Sequence, residues 1–581
     1  MRQVRSTLAM LLGVVLLAAG CANIPEGTQP EVVVPGPPAG KEQQVPKPEA
    51  GLSPLSVVRE FIEASGNPVN DHGRARVYLD KAAKKKWRPG GGVQVINDSY
   101  NTVYVPADEQ PKAGNERVVL LTGSIVGRLS SDSAFIPATT DNPLEVKIRL
   151  RQLPNGEWRI VDAPSKIIIT KSDFKVHYFR VPVYFFAPGS ATLVPDLRYV
   201  PTEPSEGLSG KVVDLLLSGP SKALAGAVRN PLGDKVALET NVRVAPGAVV
   251  IPLSGVQDKG EQARRLIVAQ LVSSLSPVTS SGIRPTANGA PLIAGHESWR
   301  ASDLPSYSAS SSLSSELSGL FVLNGRVRSL ENGAPISGTA GTGSYQVVSA
   351  GQSIDGARLA VVERVDGEVR LRVGPTKGAL QLVDLAGRSM TAPTWRPSSS
   401  PESPSHAVWT VVDGKHVVTV LRTPEGAWVS QAVNASALTS LGTITALRLS
   451  RDGTRVAAVV EGNVVIASVV RESSSVTLRA PRVLQSDTLT EVVDVAWAGQ
   501  HTVVVVTSSS TTPVVRLPID GLRMEAYDTS NLSSPMRAVA AVPGRPVIAA
   551  GQRGMYTASD VGEIWQLHPE SRQGAIPFYP G

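Results

Sequence analysis

Ser353-Ile-Asp-Gly-Ala-Arg358, running on into Leu359-Ala-Val-Val362, returns almost unchanged as Ser450-Arg-Asp-Gly-Thr-Arg455 and Val456-Ala-Ala-Val-Val460. A repeated strand, Asp-Gly turn and strand constrains the fold more than any single motif, because one such unit cannot bury its own apolar face and must stack on copies of itself. Alignment on this unit adds Thr394-Trp395-Arg396-Pro397, Val495-Ala496-Trp497 and a weaker copy ending Val542-Pro543-Gly544. The landmarks Gln352, Trp395, Leu449, Trp497 and Val542 then fall at the step of about 40–50 residues that separates β-propeller blades. Five blades are predicted, and the hairpin-like stretch 320–330 either completes the last blade or belongs to a sixth. A β-sandwich would give strand spacing, but not a near-copy two periods on. Residues 306–581 are therefore expected to form an all-β propeller of five or six blades.

Composition agrees with many short strands. Aromatics are sparse (8 Trp, 11 Tyr and 8 Phe in 581 residues), while Val, Ser, Gly and Pro are plentiful. The net charge of +7 is mild for this length, and only Lys81, Lys84, Lys85, Lys86 and Arg88 cluster. The cluster lacks the interleaved aromatics of a single-strand nucleic-acid binder, so no nucleic-acid partner is expected. It reads as a solvated helix end or as a contact for anionic lipid headgroups.

The single cysteine, Cys21, ends Leu17-Ala18-Ala19-Gly20-Cys21 behind the uncharged run 6–20. Arg2 and Arg5 supply a basic n-region and residues 8–17 an apolar h-region, too short for the ~20 residues of a membrane span. Residues 1–20 are thus expected to be a lipoprotein signal peptide. Cys21 is expected to be the lipidation site, carrying S-diacylglycerol and N-palmitoyl groups, which would tether the protein to the extracytoplasmic face of the cell membrane. With that thiol acylated, disulfides, thiolate metal sites and cysteine nucleophiles are excluded. Residues 21–52 hold Pro25, Pro30, Pro35, Pro37, Pro38, Pro46 and Pro48. Such a stretch forms an extended spacer at roughly 3 Å per residue.

The first folded unit, expected over 53–180, opens on Ser53-Pro54, an N-cap and a proline at the first helical position, ahead of the apolar stripe Val57, Val58, Phe61 and Ile62. A second helix is predicted over 72–87. Strands are predicted over 93–96, 102–105, 117–126 and 144–153, and Pro154-Asn155-Gly156 turns the chain into another at 157–161. In the second unit, 181–305, a strand with Val183-Tyr184-Phe185-Phe186 precedes a helix carrying Leu208, Val212, Leu215 and Leu216 that stops at Ser218-Gly219-Pro220. A strand at 249–253 and a second amphipathic helix with Leu266, Ala269, Gln270, Val272 and Leu275 follow.

Motifs for chemistry are missing. The histidines at 72, 177, 296, 406, 416, 501 and 568 show no metal-ligand spacing, and His296-Glu297 lacks the second histidine of a zincin. No Gly-x-Ser-x-Gly elbow occurs, and Gly338-Thr-Ala-Gly-Thr-Gly343 lacks the Lys-Ser/Thr of a phosphate loop, so it reads as a turn between strands. The Asp-Gly pairs at Asp355 and Asp452 lack the remaining ligands of a calcium loop and read as hairpin turns. Trp395 and Trp497 read as core residues between blades rather than ligand platforms. No catalytic residue, metal site or cofactor is expected.

Two helices and a meander ending in Gly156-Glu-Trp-Arg-Ile160 resemble the cone-shaped nuclear-transport-factor-like α+β domains. The Tyr184-Phe185 strand, Leu215-Leu-Leu-Ser-Gly-Pro220 and Ala269-Gln-Leu-Val272 resemble the GerMN domain, also α+β, which implies a binding role in envelope assembly. Domain order, Ser450-Arg-Asp-Gly-Thr-Arg455 and Leu193-Val-Pro-Asp196-x-Arg198-Tyr-Val200 together resemble the actinobacterial lipoprotein LpqB family. That resemblance implies a non-enzymatic modulator of the MtrA–MtrB two-component system, its partner being the extracellular domain of an MtrB-like sensor kinase and its outcome cell-wall homeostasis and division. The alternatives are an envelope enzyme or a glycan-binding module acting directly on the cell wall.

Overall fold

The computed structural model describes residues 48–139, 142–305, 307, 317–398, 405–485 and 487–581. Cys21, the signal-peptide segment and nearly all of the proline-rich spacer lie outside the described residues. Among the described residues no helix is long and apolar enough to cross a membrane.

Helix Pro54–Ser65 starts as its sequence dictates: Ser53 Oγ accepts the N–H of Ser56 at 3.2 Å. Its stripe of Val57, Val58, Phe61 and Ile62 packs on Ile96, Val119, Leu121, Ile148, Leu150 and Ile160 of a seven-stranded sheet. The sheet runs Trp158–Asp162, Pro143–Gln152, Glu116–Leu129, Val93–Ile96, Ile167–Thr170, and Asn101–Tyr104 and Phe135–Pro137 also pair with the long strand Glu116–Leu129. Close approach of the hairpin requires Gly127, where a Cβ would stand 2.4 Å from the Phe135 ring. Phe135–Pro137, Ile167–Thr170 and the helix Lys171–His177 add to the predicted elements.

The helix predicted over 72–87 does not form as one element. Asn70, Asp71 and His72 are left-handed (φ 53°, 54° and 58°), helical structure stops at Arg76, and a separate helix spans Lys81–Lys86. The cause is tertiary. The Tyr78 carbonyl accepts from Ile160 N and the Ile160 carbonyl from Asp80 N, so residues 78–80 are drawn into the sheet edge, and Asp80 then caps the new helix by accepting Ala83 N–H at 2.6 Å.

An antiparallel ribbon, Tyr178–Phe186 with Leu193–Pro201, carries the chain from the first domain into the second and leads to helix Leu208–Leu217. Gly219, at φ +80°, ends that helix as its sequence predicts. Strands Ala248–Ser254 and Gly282–Ala287 pair in parallel, joined by helix Glu261–Leu275, which covers them with Ile267, Val268, Leu271 and Val272.

The third domain is a ring of six sheets. Blade 1 is Val347–Gln352, Arg358–Val365, Glu368–Pro375 and Gln381–Gly387, and blade 2 is Thr394–Trp395, Ala407–Val412, His416–Arg422 and Trp428–Ala432. Blade 3 is Ile444–Leu449, Arg455–Val460, Asn463–Arg471 and Val476–Val483, and blade 4 is Val492–Trp497, Thr502–Thr507, Val514–Pro518 and Glu525–Ala526. Blade 5 is Ala538–Ala540, Val547–Ala550, Met555–Ala558 and Gln566–Leu567. Blade 6 is three-stranded and shared between two distant parts of the chain: Ile576–Phe578 is its inner strand, followed outward by Leu320–Leu323 and Arg326–Ser329. Inner strands of successive blades touch all round, blade 6 lying between blades 5 and 1. The stretch 320–330 therefore belongs to a sixth blade. Gly338–Gly343 encloses a single helical turn, Thr339–Thr342, between two strands.

The repeated turn has the same build in both copies. Arg358 N–H and Arg455 N–H donate to Ser353 Oγ and Ser450 Oγ at 2.9 and 3.0 Å, each serine hydroxyl donates to the following aspartate, and Gly356 and Gly453 take φ +72° and +70°. Trp395 and Trp497 are buried between blades, their indole N–H groups donating to the carbonyls of Gly351 and Arg448 at 2.8 and 3.1 Å.

Candidate functional site

The strand Leu193–Pro201 is where the three domains meet. Alternation in a ribbon covered on both faces buries every residue from Leu193 to Val200, including Asp196 and Arg198. Charges in such a place need partners, since the desolvation penalty of each ion is several kcal/mol. Asp196 Oδ2 accepts from Arg198 Nε and Nη2 at 3.1 and 2.7 Å and from Ser221 N at 2.7 Å, while Oδ1 accepts from Ser221 Oγ at 2.8 Å. Arg198 spends its remaining donors on the carbonyls of Gly219 and, in the first domain, Asp132. The Asp132 carboxylate accepts Lys222 N–H at 2.8 Å and the Ser130 hydroxyl. Burial acts to raise its pKa, but those two hydrogen bonds and the Arg198 charge outweigh it and hold the group below its ordinary value.

The propeller completes the node through blades 3 and 4. Tyr199 Oη donates to Asp520 Oδ2 at 2.8 Å, and Arg180 Nη1 stands 3.8 Å from the same oxygen. Burial, with Asp520 beside it, pushes the Tyr199 phenol far up, so it remains a donor. Arg455 Nη2 donates to the Pro195 carbonyl, Arg482 to that of Phe135 at 3.3 Å, and Ser468 to that of Ala223. Desolvation lowers the Arg455 pKa, opposed by the charges of Asp452 and Asp196. Around the polar centre, Val95, Phe135, Ile169 and Phe174 of the first domain, Tyr178 and Tyr199 of the ribbon that leads into the second and Leu522 of the propeller form one apolar cluster.

Of the sequence-singled motifs, Leu193–Val200 and Ser450–Arg455 thus come together, one donating to the backbone of the other. Asp132 and Asp520 carried no sequence signal, because Lys222 and Tyr199, which donate to them, lie in another domain, and His501 meets the node through the charges of Arg180 and Asp520. The remaining histidines do not converge: His296 stacks on Trp299 at 3.8 Å, and among the described residues no group of three His, Cys, Asp or Glu could hold a metal.

His501, at the turn between the first two strands of blade 4, is pushed down to about 4 by burial and then by the Arg180 charge, with Asp520 opposing. Because its folded value lies below the ordinary 6.5, the unfolded chain binds the extra proton between pH 6.5 and about 4, and stability falls as pH drops through that window. We expect the urea midpoint to decline across this range by a stability loss on the order of 3 kcal/mol attributable to His501. In His501→Gln the decline should be visibly shallower; an unchanged slope would remove His501 as its source.

The propeller channel offers the second candidate surface. Inner strands run from a mouth lined by Thr445, Arg448, Asp494, Arg537 and Ile576 to one lined by Leu449, Arg451 and Trp497. The second mouth is occupied by Pro580 and Gly581: the Pro580 carbonyl accepts from Arg451 Nη1 at 3.1 Å and Gly581 N donates to Gln352 at 2.9 Å. The first mouth opens into a cavity of about 250 Å³. There Arg448 Nη2 and Asp494 Oδ1 pair at 3.1 Å, and Asp494 also accepts Val495 N and Val539 N, so both are consumed in joining blades.

Fold and node define a class: a multidomain protein in which a six-bladed propeller is locked to two smaller α+β domains through one buried polar centre. Three family models match in the same order, the lipoprotein LpqB N-terminal domain over residues 47–175, a domain described as sporulation and spore germination over 182–293, and the lipoprotein LpqB β-propeller over 325–580. The chain is 31% identical over 601 residues to a lipoprotein LpqB of Rhodococcus jostii, covering 99% of this chain and 97% of that one. It is 30% identical over 611 residues to a lipoprotein LpqB of Mycobacterium tuberculosis, with 100% of both chains covered. A solved chain from a nidogen/laminin complex aligns at 11% identity and a TM-score of 0.32, covering 44% of this chain and 97% of that one. The chain belongs to the lipoprotein LpqB family.

Proposed function

We propose that this protein is a membrane-anchored, extracytoplasmic, non-enzymatic modulator of an MtrB-type sensor kinase that governs cell-wall homeostasis and division. In this reading residues 1–20 are removed, lipidated Cys21 and residues 21–52 form the anchor and tether, and 53–180, 181–305 and 306–581 are the nuclear-transport-factor-like, GerMN-like and propeller domains. The observation that carries it is full-length membership of a lipoprotein family combined with the buried node, which makes the three domains one presenting body rather than beads on a string. Support for binding over catalysis comes from the channel, where Arg448, Asp494 and Thr394 are engaged in inter-strand hydrogen bonds. A lipid anchor confines the protein to the leaflet that holds the kinase, so a weak interface works through effective concentration. Two or more acyl chains make that confinement nearly permanent, each buried methylene adding ~0.8 kcal/mol.

In-membrane crosslinking with partner identification tests the reading, and recovery of the kinase ectodomain is the expected result. Cys21→Ala should shift the protein from the membrane to the soluble or precursor fraction and impair kinase modulation together. Full modulation by an unanchored form would sink the tethering mechanism, and release of fragments from purified peptidoglycan would replace the binder with an enzyme.

A further inference from the structure

We propose that the first domain carries a binding face for an anionic phospholipid bilayer, made by the helix Lys81–Lys86 and the adjoining end of the sheet. This rests on the reading that the chain is lipid-anchored and goes beyond it, since an anchor alone requires no basic surface.

Lys81, Lys84, Lys85, Lys86, Arg88, Arg128 and Lys166 are all exposed. Local structure gathers them at one end of the sheet. The helix Lys81–Lys86 feeds through residues 87–92 into strand Val93–Ile96, and Trp87 Nε1 donates to the Pro164 carbonyl at 2.8 Å. Gly91 N donates to Ser165 O at 3.2 Å, and a Cβ on Gly91 would stand 2.8 Å from the Lys166 side chain. Arg128 pairs in register with Gln94 on the neighbouring strand.

Helix stability accounts for only part of these charges. A helix C-terminus gains from nearby cations, and its carbonyls are already met by Arg76, donating to those of Lys84 and Trp87 at 3.0 and 3.2 Å with its guanidinium 5.2 Å from the Trp87 ring, and by Arg88, donating to those of Lys85 and Trp87 at 3.1 and 3.0 Å. Local carboxylates are also committed, Asp71 to Arg76 and Asp80 to the helix N-terminus. Among the described residues Lys84, Lys85 and Lys86 make no ion pair, so beyond the helix-end attraction their like charges repel one another, which is the pattern of a surface held for an external anion.

A pocket of about 300 Å³, lined by Gly91 and Val93 where the segment after the helix enters the sheet, narrows the anion's identity. Val93, Ile125, Leu129 and Ile136 give it apolar walls, and Arg128 and Lys166 stand in its lining. Cations above an apolar floor match a phosphate joined to a glycerol and acyl chain better than a free phosphate, which has nothing to place there. Chain order agrees: about 27 residues separate Cys21 from the first described residue, a reach of at most roughly 90 Å for that many residues. The first domain is thus the one nearest the bilayer along the chain.

Each basic residue near an anionic surface strengthens partition roughly fivefold. The test uses the lipidated full-length protein in phosphatidylcholine vesicles with or without phosphatidylglycerol, read by acetylation of individual lysines. Lys84, Lys85, Lys86 and Lys166 should be protected about tenfold or more in anionic vesicles only, and high salt should abolish the protection. Equal labelling in both vesicles would overturn the proposal, as would equal protection by inorganic phosphate alone. Lys84→Gln combined with Lys85→Gln and Lys86→Gln should expose Lys166 to labelling at a thermal midpoint lowered by no more than a few degrees. Retention on vesicles after a high-salt wash reports the anchor separately, so loss of the anchor and loss of the basic face give different outcomes.

Discussion

Asp196→Ala should cost about 3–5 kcal/mol, the price of leaving a buried guanidinium without its counter-ion. The Arg198 side chain is 0% exposed, and the same substitution strips Ser221 of both its acceptors. Because Arg198 also reaches Asp132 of the first domain, the loss should not stay local. We expect a lower urea midpoint, and small-angle scattering should report a larger radius of gyration as the domains separate. The double replacement of Asp196 and Arg198 by apolar residues of matching volume should recover much of the stability, since an intact buried pair is nearly neutral against such a core. A single Asp196→Ala variant with wild-type midpoint and wild-type scattering would refute the node as the joint between domains.

Deleting residues 574–581 should have a comparable effect on the propeller alone. It removes the inner strand Ile576–Phe578 of blade 6 and exposes Leu320, Phe321 and Val322, now 7%, 1% and 3% accessible. At about 1.5–3 kcal/mol for each large apolar side chain, the loss is on the order of 5 kcal/mol. It should appear as a thermal transition of the propeller moved below that of the two α+β domains. Calorimetry showing one unshifted transition would mean that blade 6 contributes no closure.

How much of this was legible in the sequence varies with the distance over which each feature is built. The Ser53-Pro54 start of the first helix and the Gly219 stop of another are set by neighbouring residues and could be read directly. Blades 1–5 are each contiguous, so their repeated turns betrayed their spacing. Blade 6 was ambiguous because its strands come from residues 320–329 and 576–578. The predicted helix over 72–87 failed because Tyr78 and Asp80 bond to Ile160, a partner that local propensity does not contain. At the node, Asp196 and Arg198 stood out as part of a motif, but their purpose did not: Tyr199 meets Asp520 321 positions along the chain, and no local pattern encodes that contact.

Blade 6 has a consequence for the birth of the molecule. Leu320–Leu323 cannot receive its inner neighbour until residue 578 has been delivered, so the ring closes through the most sequence-distant pairing of the propeller. Non-local pairings of this kind are slow to form. A chain made N-terminus first leaves the inner edge of Leu320–Leu323 unpaired while blades 1 to 5 are added one by one, the period when an open strand edge invites misassembly with other chains. The propeller should accordingly depend more on chaperones as it folds than do the two domains ahead of it.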